Sequence, residues 1–179
     1  MSQGSGRYQR SAAGMVGAMI VTLLVIIAFV AFRAMNRDEL SVDPQAVDYL
    51  ETVKGLQQGS DLDPAYPVKL PEGWIARRAV FSADNLAWEL DVLTDQKKYI
   101  GLRQAAMSEK DLIKKYVDPK GVPASEVTLK GAVSPTWQSW TVDNDDSAFT
   151  TTVGDEHLLV FGAAGADEVK AFAASLVVD

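Results

Sequence analysis

Three kinds of pattern follow one another along this chain. Residues 11–32, SAAGMVGAMIVTLLVIIAFVAF, carry no charged side chain and are apolar at nearly every position. As a helix rising ~1.5 Å per residue this run is about 33 Å long, enough to cross a hydrocarbon core of roughly 30 Å. Residues 33–67 are polar and broken by turn formers. From residue 68 onward, strand-like alternation of apolar and polar positions is interrupted twice by a helical period.

The polar stretch predicts a linker with one short amphipathic helix. Asp43 is suited to cap it and Pro44 to its first turn. Val47, Leu50, Val53 and Leu56 recur every third residue, and Gly59 is a natural stop. Residues 60–67 then read as irregular. Leu70-Pro71-Glu72-Gly73-Trp74 is a turn that opens the domain, with Gly73 free to take a positive φ. Strands are predicted at 75–82, 87–93 and 99–105. In the second, Trp88, Leu90 and Val92 alternate with Glu89 and Asp91, which predicts one buried and one wet face. Ser108 caps a helix whose apolar face is Leu112, Ile113, Tyr116 and Val117, and Asp118-Pro119-Lys120-Gly121 ends it.

The second half repeats the order. Strands are predicted at 127–129, 137–142, 148–153 and 157–163, the last apolar on both faces and hence central. A final helix starts at Gly165-Ala166-Asp167-Glu168, with Val169, Phe172, Ala173 and Leu176 as its inner stripe. Runs of strands each closed by a helix imply an α+β fold: a mainly antiparallel sheet with packed helices, carrying a two-fold repeat of strands-then-helix. The domain organisation expected is a tail over 1–10, a transmembrane helix over 11–32, a linker over 33–67 and a globular domain over 68–179.

The apolar run reads as an anchor and not a cleaved signal. Its core exceeds the 7–15 residues of a signal peptide, and cleavage after Ala31 or Ala34 would set Phe29 or Phe32 where a small residue belongs. Orientation is harder, because Arg7 and Arg10 before the run balance Arg33 and Arg37 after it. The first ten residues hold no acid, whereas Asp38, Glu39 and Asp43 follow the second flank. This favours a cytoplasmic tail and a C-terminal domain outside the cytoplasm, in a single-pass protein of the cell membrane. Gly14 and Ala18 give a small-xxx-small spacing that suits a homodimer through the membrane helix.

Charge narrows the partners. Residues 38–179 hold 13 basic and 24 acidic side chains, a net −11. Nucleic acid, bound largely through Lys and Arg on phosphates, is excluded as a natural partner. The chain has no cysteine, which removes thiolate nucleophiles, disulfides and Cys-based metal sites.

No catalytic, cofactor or metal constellation follows from the residues. His157 is the only histidine, and Asp155 and Glu156 beside it complete neither a zinc site nor a triad. Asp143-Asn144-Asp145-Asp146 hints at calcium, but the sixth and twelfth loop positions would be Ala148 and Gly154, not glycine and acid. It reads as a turn. Gly162-Ala163-Ala164-Gly165 joins a strand to a helix as phosphate loops do, yet Asp167 and Glu168 stand where the anion would sit. Trp74, Trp88, Trp137 and Trp140 are expected mostly in the core, with Trp137 and Trp140 on opposite faces of one strand. Lys97, Lys98, Arg103, Lys110, Lys114 and Lys115 are expected as a solvated surface, with anionic headgroups as the alternative.

The cationic tail at Arg7 and Arg10, the opening Leu70-Pro71-Glu72-Gly73-Trp74, Gly131 with Trp137 and Trp140, and the apolar strand over 158–161 together resemble the actinobacterial family termed domain of unknown function 4245. The resemblance implies a single-pass anchor, a polar linker and an exported α+β domain, with no assigned catalytic residues. The order of elements is also similar to that of Mog1/PsbP-type binding and assembly domains. The function expected is thus a membrane-anchored binding or assembly module. It meets the bilayer through residues 11–32 and holds a protein or envelope component. The alternative is an envelope enzyme using carboxylates such as Glu89, Asp91 and Asp95.

Overall fold

A computed structural model of the chain describes residues 12–35, 45–59, 62–131 and 133–178. The chain divides at residues 43 and 44 into two compact units. The first contains helix α1, Ala12–Met35. Its segment Gly14–Arg33 has a mean hydropathy of 2.9 and no side chain shielded by protein. The hydroxyl of Thr22 donates back to the carbonyl of Ala18 at 2.9 Å, so this side chain is satisfied within the helix.

The second unit is α+β. It runs α2 (Tyr49–Gly59), β1 (Tyr66–Pro67), β2 (Ile75–Ser82), β3 (Ala87–Leu93), β4 (Tyr99–Ala105), α3 (Glu109–Tyr116), β5 (Val122–Thr128), β6 (Thr136–Thr141), β7 (Ser147–Val153), β8 (Glu156–Gly162), α4 (Ala166–Ala174) and β9 (Leu176–Val177). Seven strands form one sheet in the order β2-β3-β4-β8-β7-β6-β5, and every neighbouring pair is antiparallel. Two meanders, each followed by its helix, meet at the β4–β8 seam. The expected repeat of order is therefore present, but α3 and α4 lie on opposite faces of the sheet.

β8 explains the layering. Leu158 and Val160 belong to a core with Trp88, Leu90, Val92, Trp137, Phe172 and α2. Leu159 and Phe161 belong to a second core with Leu112 and Ile113 of α3. The strand is apolar on both faces because both are covered, and it is the fourth of seven.

Residues 45–67 depart from the linker reading. The expected cap Asp43 and first-turn Pro44 lie outside the described residues, and the helix begins at Tyr49. Its cap is Asp48, whose Oδ1 accepts the amides of Leu50 and Glu51 at 3.1 and 3.3 Å. Tyr49 and Val53 are buried, and the Tyr49 hydroxyl donates to the Pro67 carbonyl at 2.9 Å. The irregular stretch that follows is held by core side chains. Trp88 Nε1 donates to the Ala65 carbonyl at 2.9 Å, and Gln104 Oε1 accepts the Ala65 amide at 2.7 Å. Buried backbone outside a ladder needs such partners. β1 then pairs with β9, closing the domain's two ends on each other.

The opening turn forms as expected, with Gly73 at φ 80° and the Trp74 amide bonded to the Pro71 carbonyl at 3.1 Å. Two strand expectations change. β5 starts at Val122 and not at 127, an exposed edge strand broken by a bulge after Pro123. Leu176, expected on the last helix, lies in β9 and is still buried.

Candidate functional site

The face of β3 expected to be wet is covered by α3. Glu89 is buried, receives Arg78 at 2.8 Å, and accepts hydrogen bonds from Asn85 Nδ2 (3.1 Å) and the Tyr116 hydroxyl (3.2 Å). Asp91 pairs with Arg103 at 2.7 Å and accepts the Tyr99 hydroxyl at 2.8 Å. Arg103, expected on the surface, is buried, and its guanidinium lies 5.2 Å from the Tyr116 ring centroid and 5.5 Å from that of Phe161. Burial pushes the Tyr99 phenol far above its ordinary value, with Asp91 adding to the shift and Arg103 opposing it. Carboxylates and cations here neutralise one another, which is how charge survives between two packed layers.

An open cleft lies beside α3 on the same side of the sheet. One part, about 500 Å³, is bounded by Ser108, Lys110, Val122, Pro123, Trp140 and His157. A second, about 310 Å³, is bounded by Glu126, Thr136, Thr150 and Thr152. Glu109 and Gln138 line both, so the two hollows adjoin. Strand alternation explains the floor. Trp137 and Phe149 point into the α2/α4 core, so Gln138, Trp140, Thr150 and Thr152 point the other way, beyond the reach of short α3. Trp140 Nε1 donates to Thr150 Oγ1 at 2.8 Å, which fixes the ring in the cleft wall. His157 reaches the cleft from β8, and its Nδ1 is buried without a hydrogen-bond partner. The floor is thus an indole, an imidazole, an amide and hydroxyls: stacking surface plus neutral donors and acceptors.

The remaining sequence candidates separate. Trp88 and Trp137 are fully buried, while Trp74 and Trp140 are half-buried. Trp137 and Trp140 do face opposite cores. Asp143-Asn144-Asp145-Asp146 makes the β6–β7 turn, with Asn144 Nδ2 donating to Asp146 Oδ2 at 2.8 Å. Burial raises the Asp146 carboxyl above its ordinary value. Among the described residues, no group of three or more acidic or histidine side chains is placed to hold a metal. In the Gly162–Gly165 connection the glycines serve the backbone. A Cβ on Gly162 would run into the Tyr99 carbonyl, where β8 pairs with β4. The basic residues form no single patch. Lys97 and Lys98 lie in the turn after β3, Arg103 is buried, and Lys115 meets Asn85 at the other end of β3.

Sequence reasoning missed Gln138, Thr136, Thr150 and Thr152. The available signal was Thr150 and Thr152, two residues apart in β7 and so on one face, which the predicted helix was too short to cover.

No curated protein and no solved structure matches the chain. A family model described as protein of unknown function (DUF4245) matches residues 7–176. That match takes in the apolar helix, α2, both meanders and the cleft, and the chain belongs to the DUF4245 family.

Proposed function

We propose that the chain is a single-pass membrane protein whose C-terminal domain stands outside the cytoplasm and holds a protein or envelope component in the cleft beside α3. The observation that carries this reading is the span Gly14–Arg33, apolar along its length and with no side chain shielded by protein. Phe29 and Phe32 argue against cleavage, and the acid-free tail with Arg7 and Arg10 suits the cytoplasmic side. A second copy of the chain is a further partner for α1 through Gly14 and Ala18.

Binding is favoured over catalysis because the carboxylates nominated for hydrolysis are engaged. Glu89 and Asp91 sit in ion pairs, and Asp95 Oδ1 accepts the Gln96 amide at 3.0 Å. The cleft instead offers Trp140 for stacking and Gln138, Thr136 and Thr152 for hydrogen bonds, with Glu109, Lys110 and Glu126 beside them, the chemistry of a polar ligand. A photo-crosslinkable residue placed at Gln138 in cells, with Lys97 as control, tests this directly. The protein should stay in alkali-washed membranes and form an adduct from position 138 alone. A shortened chain in the soluble fraction would restore the signal-peptide reading, and equal adducts at both positions would remove the cleft.

A further inference from the structure

The hairpin joining β2 to β3 carries an anomaly. Leu86, in the turn, is 69 % exposed and takes φ +47°. Left-handed backbone is disfavoured for a leucine and is normally given to Gly, Asn or Asp. Phe81, one pair below the turn, is 41 % exposed. Two large apolar side chains are therefore offered to solvent at one tip, one of them against a steric cost. Neither makes a contribution to either core.

The charges around the tip differ from those of the domain. Lys115 Nζ donates to Asn85 Oδ1 in the turn at 2.7 Å, bringing the C-terminal end of α3 to the hairpin. Lys114 adjoins it on an exposed position, and Arg78 is half-exposed beside Glu89. Arg78, Lys114 and Lys115 stand against Asp84 and Glu89. One turn back along α3, Asp111 is held by the Ser108 hydroxyl at 2.7 Å. Among the described residues Lys114 and Lys115 make no ion pair, so two cations flank the hairpin tip on its α3 face, while Phe81, paired with Trp88, stands on the other face.

We propose that this tip docks on a lipid surface, with Leu86 and Phe81 entering the interface and Lys114, Lys115 and Arg78 meeting anionic headgroups. This rests on the reading of α1 as an anchor. Positions 36–48 lie between α1 and α2, and thirteen residues span at most about 45 Å when fully extended. A domain on so short a tether meets the bilayer at high effective concentration, so a small apolar contact with flanking cations suffices. The same tip on an untethered protein would lack that advantage.

The chain has no cysteine, so one can be placed at will. Full-length protein carrying Ala83→Cys, labelled with an environment-sensitive fluorophore, is reconstituted into vesicles of phosphatidylcholine with phosphatidylglycerol. A Glu126→Cys label on β5 is the control. Flotation with the vesicles reports the anchor, and emission reports the tip. The expected result is a blue-shifted Ala83 signal, quenched by brominated acyl chains, while the Glu126 signal stays aqueous. The shift should shrink when phosphatidylglycerol is omitted or when Lys114 and Lys115 become Gln. Leu86→Gly should abolish the shift without lowering the melting temperature, since glycine relieves the backbone. Protein that floats while the Ala83 label stays aqueous overturns the docking and leaves the anchor standing. Protein that fails to float overturns both.

Discussion

Arg103 sits between two packed layers, and its surroundings dictate the effect of removing it. The side chain is 6 % exposed and is matched by Asp91 and by two aromatic rings. Arg103→Met leaves Asp91, 17 % exposed and still bonded by the Tyr99 hydroxyl, without its cation, which should cost less than the ~3–5 kcal/mol of a fully buried pair. Adding Asp91→Met removes the stranded charge and should recover part of the loss. Urea unfolding of the full chain in detergent reads both, and equal midpoints for the single and double variants would show that Asp91 is not left as a costly stranded charge. Asp118 makes a different prediction. Its carboxylate accepts the amides of Asp143 (2.7 Å) and Lys120 (2.8 Å), tying the turn after α3 to the β6–β7 turn. Those amides hold its titration below the ordinary 3.8. Because the folded value is depressed, the stabilisation is complete above the unfolded value and is lost as pH falls through the folded one. Asp118→Asn should therefore melt lower than the wild type at pH 7, and the gap should narrow below about pH 4. A constant gap across that range would assign the loss to something other than the charge.

At the scale of elements, α4 and the β4–β8 seam decide whether the second meander stays attached. Phe172 is 3 % exposed and stacks on Trp74 with ring centroids 6.3 Å apart. Phe172→Ala should cost about 3–5 kcal/mol by the cavity it leaves. Gly162→Ala should be worse than Gly154→Ala although both have positive φ. The first drives a methyl into the Tyr99 carbonyl, and the second meets nothing within 4 Å. Comparable melting temperatures for the two glycine variants would mean that the seam can yield. The same elements show what a sequence discloses. The bounds of β2, β3 and β4 are legible to the residue, because alternation and turn chemistry are local. β5 was truncated because Val122, Pro123, Ala124 and Ser125 read as loop, and an edge strand needs no buried side chain to pair. The β1–β9 pair is illegible for a different reason: its register, Tyr66 with Val177, joins two-residue segments from opposite ends of the domain. The wet face predicted for Glu89 and Asp91 failed because alternation reports polarity, and ion pairs let polar residues be buried. The cleft is not legible for the complementary reason, since whether a face is covered depends on helix length in space.

For the whole molecule, the proposed anchor raises the question of which side of a membrane the domain would occupy, and arginine placement makes that a finely balanced outcome. Arg7 and Arg10 lie before the span, and Arg33 and Arg37 after it or at its end. Acids contribute little to orientation, so Asp38 and Glu39 do not break the tie strongly. The remaining difference is that residues 1–10 carry no acid. An orientation held by so small a margin should be easy to shift, whereas one held by a large margin would not respond. Lys97→Cys provides an exposed, solvent-facing reporter in a protein with no other thiol. In intact cells a membrane-impermeant maleimide should label it fully. With Arg7→Gln and Arg10→Gln together, the balance moves to Arg33 and Arg37, and part of the population should become protected until the membrane is permeabilised. Lys97→Cys protein with Arg7 and Arg10 intact, labelled only after permeabilisation, would place the domain on the cytoplasmic side. Both the cleft and the apolar tip would then face cytoplasmic partners, and the tip would meet the inner leaflet with its anionic lipids, where Lys114 and Lys115 find still stronger attraction.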